Sequence, residues 1–128
     1  MSDLPRHLHR VRLELARTKG FPDGSSAHGY EFVAPLDAEG RLDPALWRTT
    51  RERCRVRRFW AGDDDDLGRL ELRRGNWFFH YDPEADEDDE AGYKLAQHTF
   101  NIGDYVSIRD DDGELHTFRV VAADALPG

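Results

Sequence analysis

From Arg10 to Leu15 the chain alternates strictly: Val11, Leu13 and Leu15 fall between Arg10, Arg12 and Glu14. A period of two sends successive side chains to opposite faces of an extended strand, so residues 7–17 are expected to form a strand with one buried face. The same alternation recurs in most later segments. "YEFVAPL" (30–36) reads as a short strand stopped by Pro35, and the Gly-, Pro- and Ser-rich "GFPDGSSAHG" (20–29) before it reads as a flexible loop. One segment breaks the pattern. Asp43 followed by Pro44 is a helix-start signal, an N-cap residue and then a proline at the first helical position, so a single short helix is expected near 43–49.

The middle of the chain permits a register prediction. In 51–60, Cys54 and Val56 share one face, and Arg51, Arg53, Arg55 and Arg57 share the other; in 69–73, Leu70 and Leu72 oppose Arg69, Glu71 and Arg73. Keeping apolar opposite apolar requires an even sum of residue numbers across this hairpin, which puts Arg55 or Arg57 opposite Glu71. A two-residue turn at Gly75-Asn76 would then pair Arg74 with Trp77, Leu72 with Phe79 and Leu70 with Tyr81. Cys54, Val56, Leu70, Leu72, Trp77, Phe79 and Tyr81 thereby form one core wall. Near the C-terminus, Val106 and Ile108 match Phe118 and Val120 only if Asp111-Asp112-Gly113 is a three-residue loop, with Gly113 supplying positive φ.

These elements add up to an all-β chain, a single small barrel or sandwich of about 7–8 mostly antiparallel strands with one short helix. The run Phe100, Gly103, Asp104, Val106, Ile108, Gly113, Phe118, Val120 resembles the "G-D-x-V-x-I…G…F-x-V" pattern of small barrels, including SH3-like modules, which implies a barrel and no particular activity. The 128 residues are expected to be one β domain, with an acidic mobile loop at 82–92 and a frayed C-terminus at 123–128.

Composition narrows the classes of function. Apolar residues are 38% and charged residues 34%, yet three Trp, four Tyr and seven Phe supply enough apolar surface for a core. No apolar run approaches the roughly 18 residues needed to cross a bilayer, and the N-terminus lacks the apolar segment of a signal peptide, so no membrane partner and a cytoplasmic location are expected. Cys54 is the sole cysteine, which excludes an intramolecular disulfide and a Cys-based zinc cage. Sixteen of the eighteen basic residues are Arg, a skew associated with GC-rich bacterial genomes. The net charge of −8 divides unevenly, +4 over residues 1–60 and −12 over 61–128. Overall acidity opposes nucleic-acid and anionic-membrane binding through long-range repulsion.

Four sets of residues invite chemistry. The arginine stripe Arg51, Arg53, Arg55 and Arg57, with Phe59 and Trp60 beside it, could hold phosphates or an acidic partner while the aromatic rings stack on bases; a structural role pairs the same arginines with Glu71 and the acidic loops. His7 and His9, two apart on one strand, could chelate a divalent metal with Glu14 or His28. "HLHRVRLELARTKG", with His7, His9, Glu14 and Gly20, resembles the first metal-binding motif of cupins, and "PDGSSAH" (22–28) the second; the resemblance implies a metal-dependent barrel enzyme. In a continuous strand Glu14 faces away from His7 and His9, so such a site requires a bend. Asp63–Asp66 and Asp82–Glu90 lack the glycine and spacing of a calcium loop and read as solvated loop tips. Ser25, Ser26 and His28 form no nucleophile elbow, since G-x-S-x-G is absent.

The preferred reading is therefore a non-enzymatic binding module without a cofactor, joining a protein partner or a second copy through its arginine face. A cupin-like metal enzyme and a single-strand nucleic-acid binder are the alternatives.

Overall fold

In the computed structural model, which describes residues 7–18, 20–82, 90–91, 99–109 and 114–126, every strand belongs to one antiparallel sheet. In chain order the elements are β1 (His7–Leu15), β2 (Ser25–Leu36), α1 (Pro44–Thr50), β3 (Arg55–Trp60), β4 (Asp66–Arg73), β5 (Asn76–Asp82), β6 (Glu90–Ala91), β7 (Tyr105–Arg109) and β8 (Leu115–Ala125). Their spatial order is β6-β5-β4-β3-β2-β1-β8-β7. The sheet curls into a half-barrel, bringing Cα atoms of the edge strands β6 and β7 within 8 Å of each other. The all-β expectation with one short helix holds.

The alternation in β1 does what the period demands: Val11 and Leu13 are fully buried on the concave face, while Arg10, Arg12 and Glu14 look outward. Tyr30 and Phe32 of β2 and Phe118 and Val120 of β8 continue that face on either side of β1, and Leu70 of β4, Phe79 of β5, and Val106 and Ile108 of β7 complete the core, all at most 2% exposed. Tyr30 stacks on Phe79 at 5.3 Å and meets Phe118 edge-on at 5.1 Å, so rings from opposite sides of the curl close the core.

Several local expectations shift. β2 starts at Ser25, inside the segment read as a loop, because the glycine there is a packing requirement. A Cβ on Gly29 would lie 1.9 Å from the Leu13 carbonyl oxygen and 3.1 Å from Phe59 Cζ. Pro35 does not stop the strand; it pairs with Leu8, and its carbonyl accepts the Asp43 N–H at 2.8 Å. Since N and O of one strand residue point to the same side, the missing donor faces the side where β3 has already ended. Residues 123–125 continue β8 against β1, and the Leu126 N–H reaches the Leu8 carbonyl at 2.9 Å, instead of fraying.

Helix α1 forms as its start signal indicates, with the Asp43 carboxylate accepting from the N–H groups of Ala45 and Leu46 at 3.0 and 3.3 Å. It packs at the end of the half-barrel where β2 finishes. There the Trp47 indole donates to the Leu70 carbonyl at 2.9 Å and meets Trp77 edge-on at 5.8 Å.

The β3/β4 register has the expected even sum but places Arg55 opposite Arg69 and Val56 opposite Gly68, so neither Arg55 nor Arg57 faces Glu71. In β4/β5, Arg73 pairs with Asn76 and Leu72 with Trp77, two residues away from the expected register. The turn is Arg74-Gly75, with φ of 54° and 79°. Positive φ at both central residues marks a type I′ turn, whose twist suits a hairpin. A slip of two keeps every side chain on its face, so the core wall survives the correction. Between β7 and β8, Val106 pairs with Phe118 and Ile108 with His116, the register expected; the loop residues 111–113 lie outside the described residues. Of the acidic segment 82–92, Asp82 ends β5, Glu90–Ala91 pairs with β5 as β6, and 83–89 and 92 lie outside the described residues. No helix among the described residues is long and apolar enough to cross a membrane.

Candidate binding site at the mouth of the half-barrel

The arginine run does not form one stripe. Residues 51–53 are a 3-10 turn that continues α1, so only Arg55, Arg57 and Arg58 lie on β3. Arg51 lies over the Trp47 ring at 4.7 Å and bridges Glu71 at 3.5 Å, a glutamate that Arg69 of β4 also reaches at 3.7 Å, and Arg53 is exposed on the same turn. Arg55 and Arg57 face the convex side. Arg57 is held by Asp65 at 2.9 Å and Glu31 at 3.3 Å, and these carboxylate hydrogen bonds, Asp65's first, keep it charged beyond an ordinary arginine. Glu31 also reaches Arg12 at 3.9 Å, and Arg12 closes on Glu14 at 2.7 Å.

Phe59 lies under this ionic layer. It is on the convex face, yet only 8% exposed, because Arg12 and Arg57 cover its ring at 4.4 and 5.1 Å and its edge fills the space over Gly29. A ring roofed by two guanidiniums is not an open stacking platform. Trp60, one residue on, points to the concave side, so the two aromatics proposed to act together are separated by the sheet.

The residues of the metal reading are also dispersed. His9 pairs with Ala34 and Ala125 at the α1 end of the barrel, whereas His28 pairs with Trp60 at the other. About six residues of strand, roughly 20 Å, lie between those levels. Glu14 is on the convex face with Arg12, and the side chain of His7 lies outside the described residues. Among the described residues no three His, Cys, Asp or Glu side chains come together as a metal-binding group.

What the curl does assemble is a polar cluster on the concave face at the end opposite α1. Inward parity supplies His28 from β2, Arg58 and Trp60 from β3, Asp66 from β4 and His116 from β8, and Ser25, three residues from His28, joins them where the β1/β2 register shifts and Ser25 pairs with Leu15. Trp60 is the hub. Arg58 lies over its ring at 4.4 Å, the His28 ring meets it edge-on at 4.6 Å, His116 approaches to 5.7 Å and Phe118 to 6.5 Å. Phe21 covers the far side of His28 at 4.7 Å. Arg58 reaches Asp66 at 3.7 Å, and its side chain is only 14% exposed.

Ser25 and His28 make the closest polar contact of the cluster, Oγ to Nδ1 at 2.7 Å, while Oγ also accepts the Ala27 N–H at 3.2 Å. The hydroxyl oxygen keeps a second lone pair, so the direction of the Oγ–Nδ1 hydrogen bond follows the ring tautomer. Burial first and the neighbouring Arg58 second hold the His28 pKa below its ordinary value, against a smaller opposing pull from Asp63. Both favour the neutral imidazole, which carries one ring N–H.

Sequence reasoning named His28 and Trp60 but missed Arg58, Asp66 and His116. A signal for Arg58 was present: in Arg55-Val-Arg-Arg-Phe-Trp60 it breaks the alternation and shares parity with Cys54, Val56 and Trp60. No protein-family model, curated protein or solved structure matches the chain.

Proposed function

We propose that the protein is a non-catalytic binding module whose ligand enters the mouth of the half-barrel, between Trp60, His28, Arg58 and His116. One observation carries this reading: beside the apolar core, at the end of the concave face opposite α1, cationic, imidazole and hydroxyl groups converge on a partly exposed indole. Polar groups inside a curled sheet are costly unless satisfied, and an apolar hollow with a few convergent polar groups is the usual form of a small-ligand site. The convex arginines are less suited to that task, because Glu31, Asp65 and Glu71 already engage Arg57 and Arg51.

Absence of catalysis is the reading favoured by the Ser25–His28 geometry. A general base takes the serine proton while its other ring nitrogen is oriented by a third group. Here the two residues are three apart, and the backbone N–H of Ala27 folds the serine into a local turn.

The test is a fragment screen observed by NMR on side-chain signals. Binding at the mouth moves the Trp60 indole and the His28 and His116 ring resonances together and leaves Phe59 still. Fragments that shift Phe59 and spare Trp60 would move the site to the convex face.

A further inference from the structure

We infer that the mouth selects a small oxyanion, a carboxylate or phosphate carried on a flat apolar body. This rests on the mouth being the ligand site and adds the chemical class it takes. Arg58 is the permanent cation of the cluster, and its side chain is far less exposed than that of Asp66, 14% against 53%. Water screens the exposed carboxylates of Asp63, Asp66 and Glu114 more than the sheltered guanidinium, so Arg58 is the least screened charge a ligand meets inside the mouth. His28 adds an imidazole to the same wall, its Nδ1 engaged by the Ser25 hydroxyl. An incoming cation would find the Trp60 face already taken by Arg58. Guanidinium is a common partner for planar or tetrahedral oxyanions.

The walls around those donors define the rest of the ligand. Phe21, Trp60 and His116 keep partly exposed ring surfaces, within 4.6–5.7 Å of one another through His28 and Trp60. An aromatic or alicyclic body would replace water against them, while a bare ion would leave them wet.

Tryptophan fluorescence provides the readout. Trp47 and Trp77 are 5% and 4% exposed and touch each other at the α1 end, so a ligand-dependent change reports Trp60. The whole chain is titrated with benzoate, phenyl phosphate, benzamide, benzylammonium and inorganic phosphate, with calorimetry as a second measure. Benzoate or phenyl phosphate is expected to bind at least tenfold more tightly than benzamide, and the tighter of the two identifies the anion; inorganic phosphate is expected to bind weakest of the anions. Arg58→Gln should abolish the tenfold preference, and Arg58→Lys should retain most of it, with folding of both variants checked by thermal denaturation. Benzamide binding as tightly as benzoate, or benzylammonium more tightly, overturns the oxyanion class and leaves the mouth as the binding site. Saturation by none of the probes overturns both. Inorganic phosphate binding as tightly as phenyl phosphate overturns the apolar body.

Discussion

Replacing Phe59 by alanine separates a structural convex face from a binding one. Removing a buried phenylalanine side chain costs about 3–5 kcal/mol in a protein core. Phe59 is buried to the core standard, but one side of its ring is roofed by guanidiniums rather than apolar atoms, so the lower end applies, about 3 kcal/mol. The two cation–π contacts contribute about 0.5 kcal/mol each at a surface-facing site, and both vanish. The expected loss is therefore about 4 kcal/mol, or a fall in Tm of about 12–16 °C at roughly 3–4 °C per kcal/mol for a chain of this size. Phe59→Leu, which keeps most of the volume over Gly29, should lose only about 1–2 kcal/mol. Urea denaturation followed by circular dichroism measures both. A Phe59→Ala protein within about 1 kcal/mol of the parent, with single-stranded nucleic-acid binding lost from the parent level, would refute the reasoning and restore the stacking platform.

Other consequences are as direct. Gly68→Ala places a Cβ 2.1 Å from the His80 carbonyl oxygen and 2.7 Å from Tyr81 Cα, so β4 and β5 must part and a loss of about 3 kcal/mol is expected in the same assay. Arg57→Ala should cost less than about 1 kcal/mol despite two ion pairs, because the arginine and Asp65 are well exposed; urea midpoints at low and high salt check it. His28 has a depressed pKa when folded, so its contribution to stability is constant above the ordinary histidine value of 6.5. As pH falls through that value the unfolded chain takes a proton that buried His28 refuses, and stability declines until the folded ring is protonated too. His28→Gln should flatten that part of the pH profile of the urea midpoint. Cys54 is fully buried, and burial raises its thiol pKa, so an aromatic disulfide reagent should react with it only after unfolding.

The sequence is most informative where a face is set by parity. Cys54, Val56, Leu70, Trp77, Phe79 and Tyr81 are core because their spacing of two survives even a misplaced turn; the β4/β5 register slipped by two residues without moving a side chain to the other face. What parity cannot supply is where a strand begins. Arg51 and Arg53 continue the alternation of Arg55 and Arg57, but α1 runs on into a 3-10 turn through residue 53, which divides the stripe. Gly29 likewise reads as loop composition, although the close approach of Leu13 makes it obligatory in a strand. The mouth was legible only in pieces. His28, Arg58 and His116 each sit on inward parity beside apolar neighbours, yet β2, β3 and β8 must curl before those three positions meet at Trp60, and no local pattern encodes that curl.

The central claim is that the concave mouth, and not the arginine-bearing convex face, receives the ligand. A crystal structure grown with the tightest of the aromatic anions tests it most directly. The anionic group is expected within hydrogen-bond distance of Arg58, with the ligand's ring against Trp60 and Phe21. Density for the anion beside Arg55 or Arg57 on the convex face, with the mouth still holding only water, would contradict it.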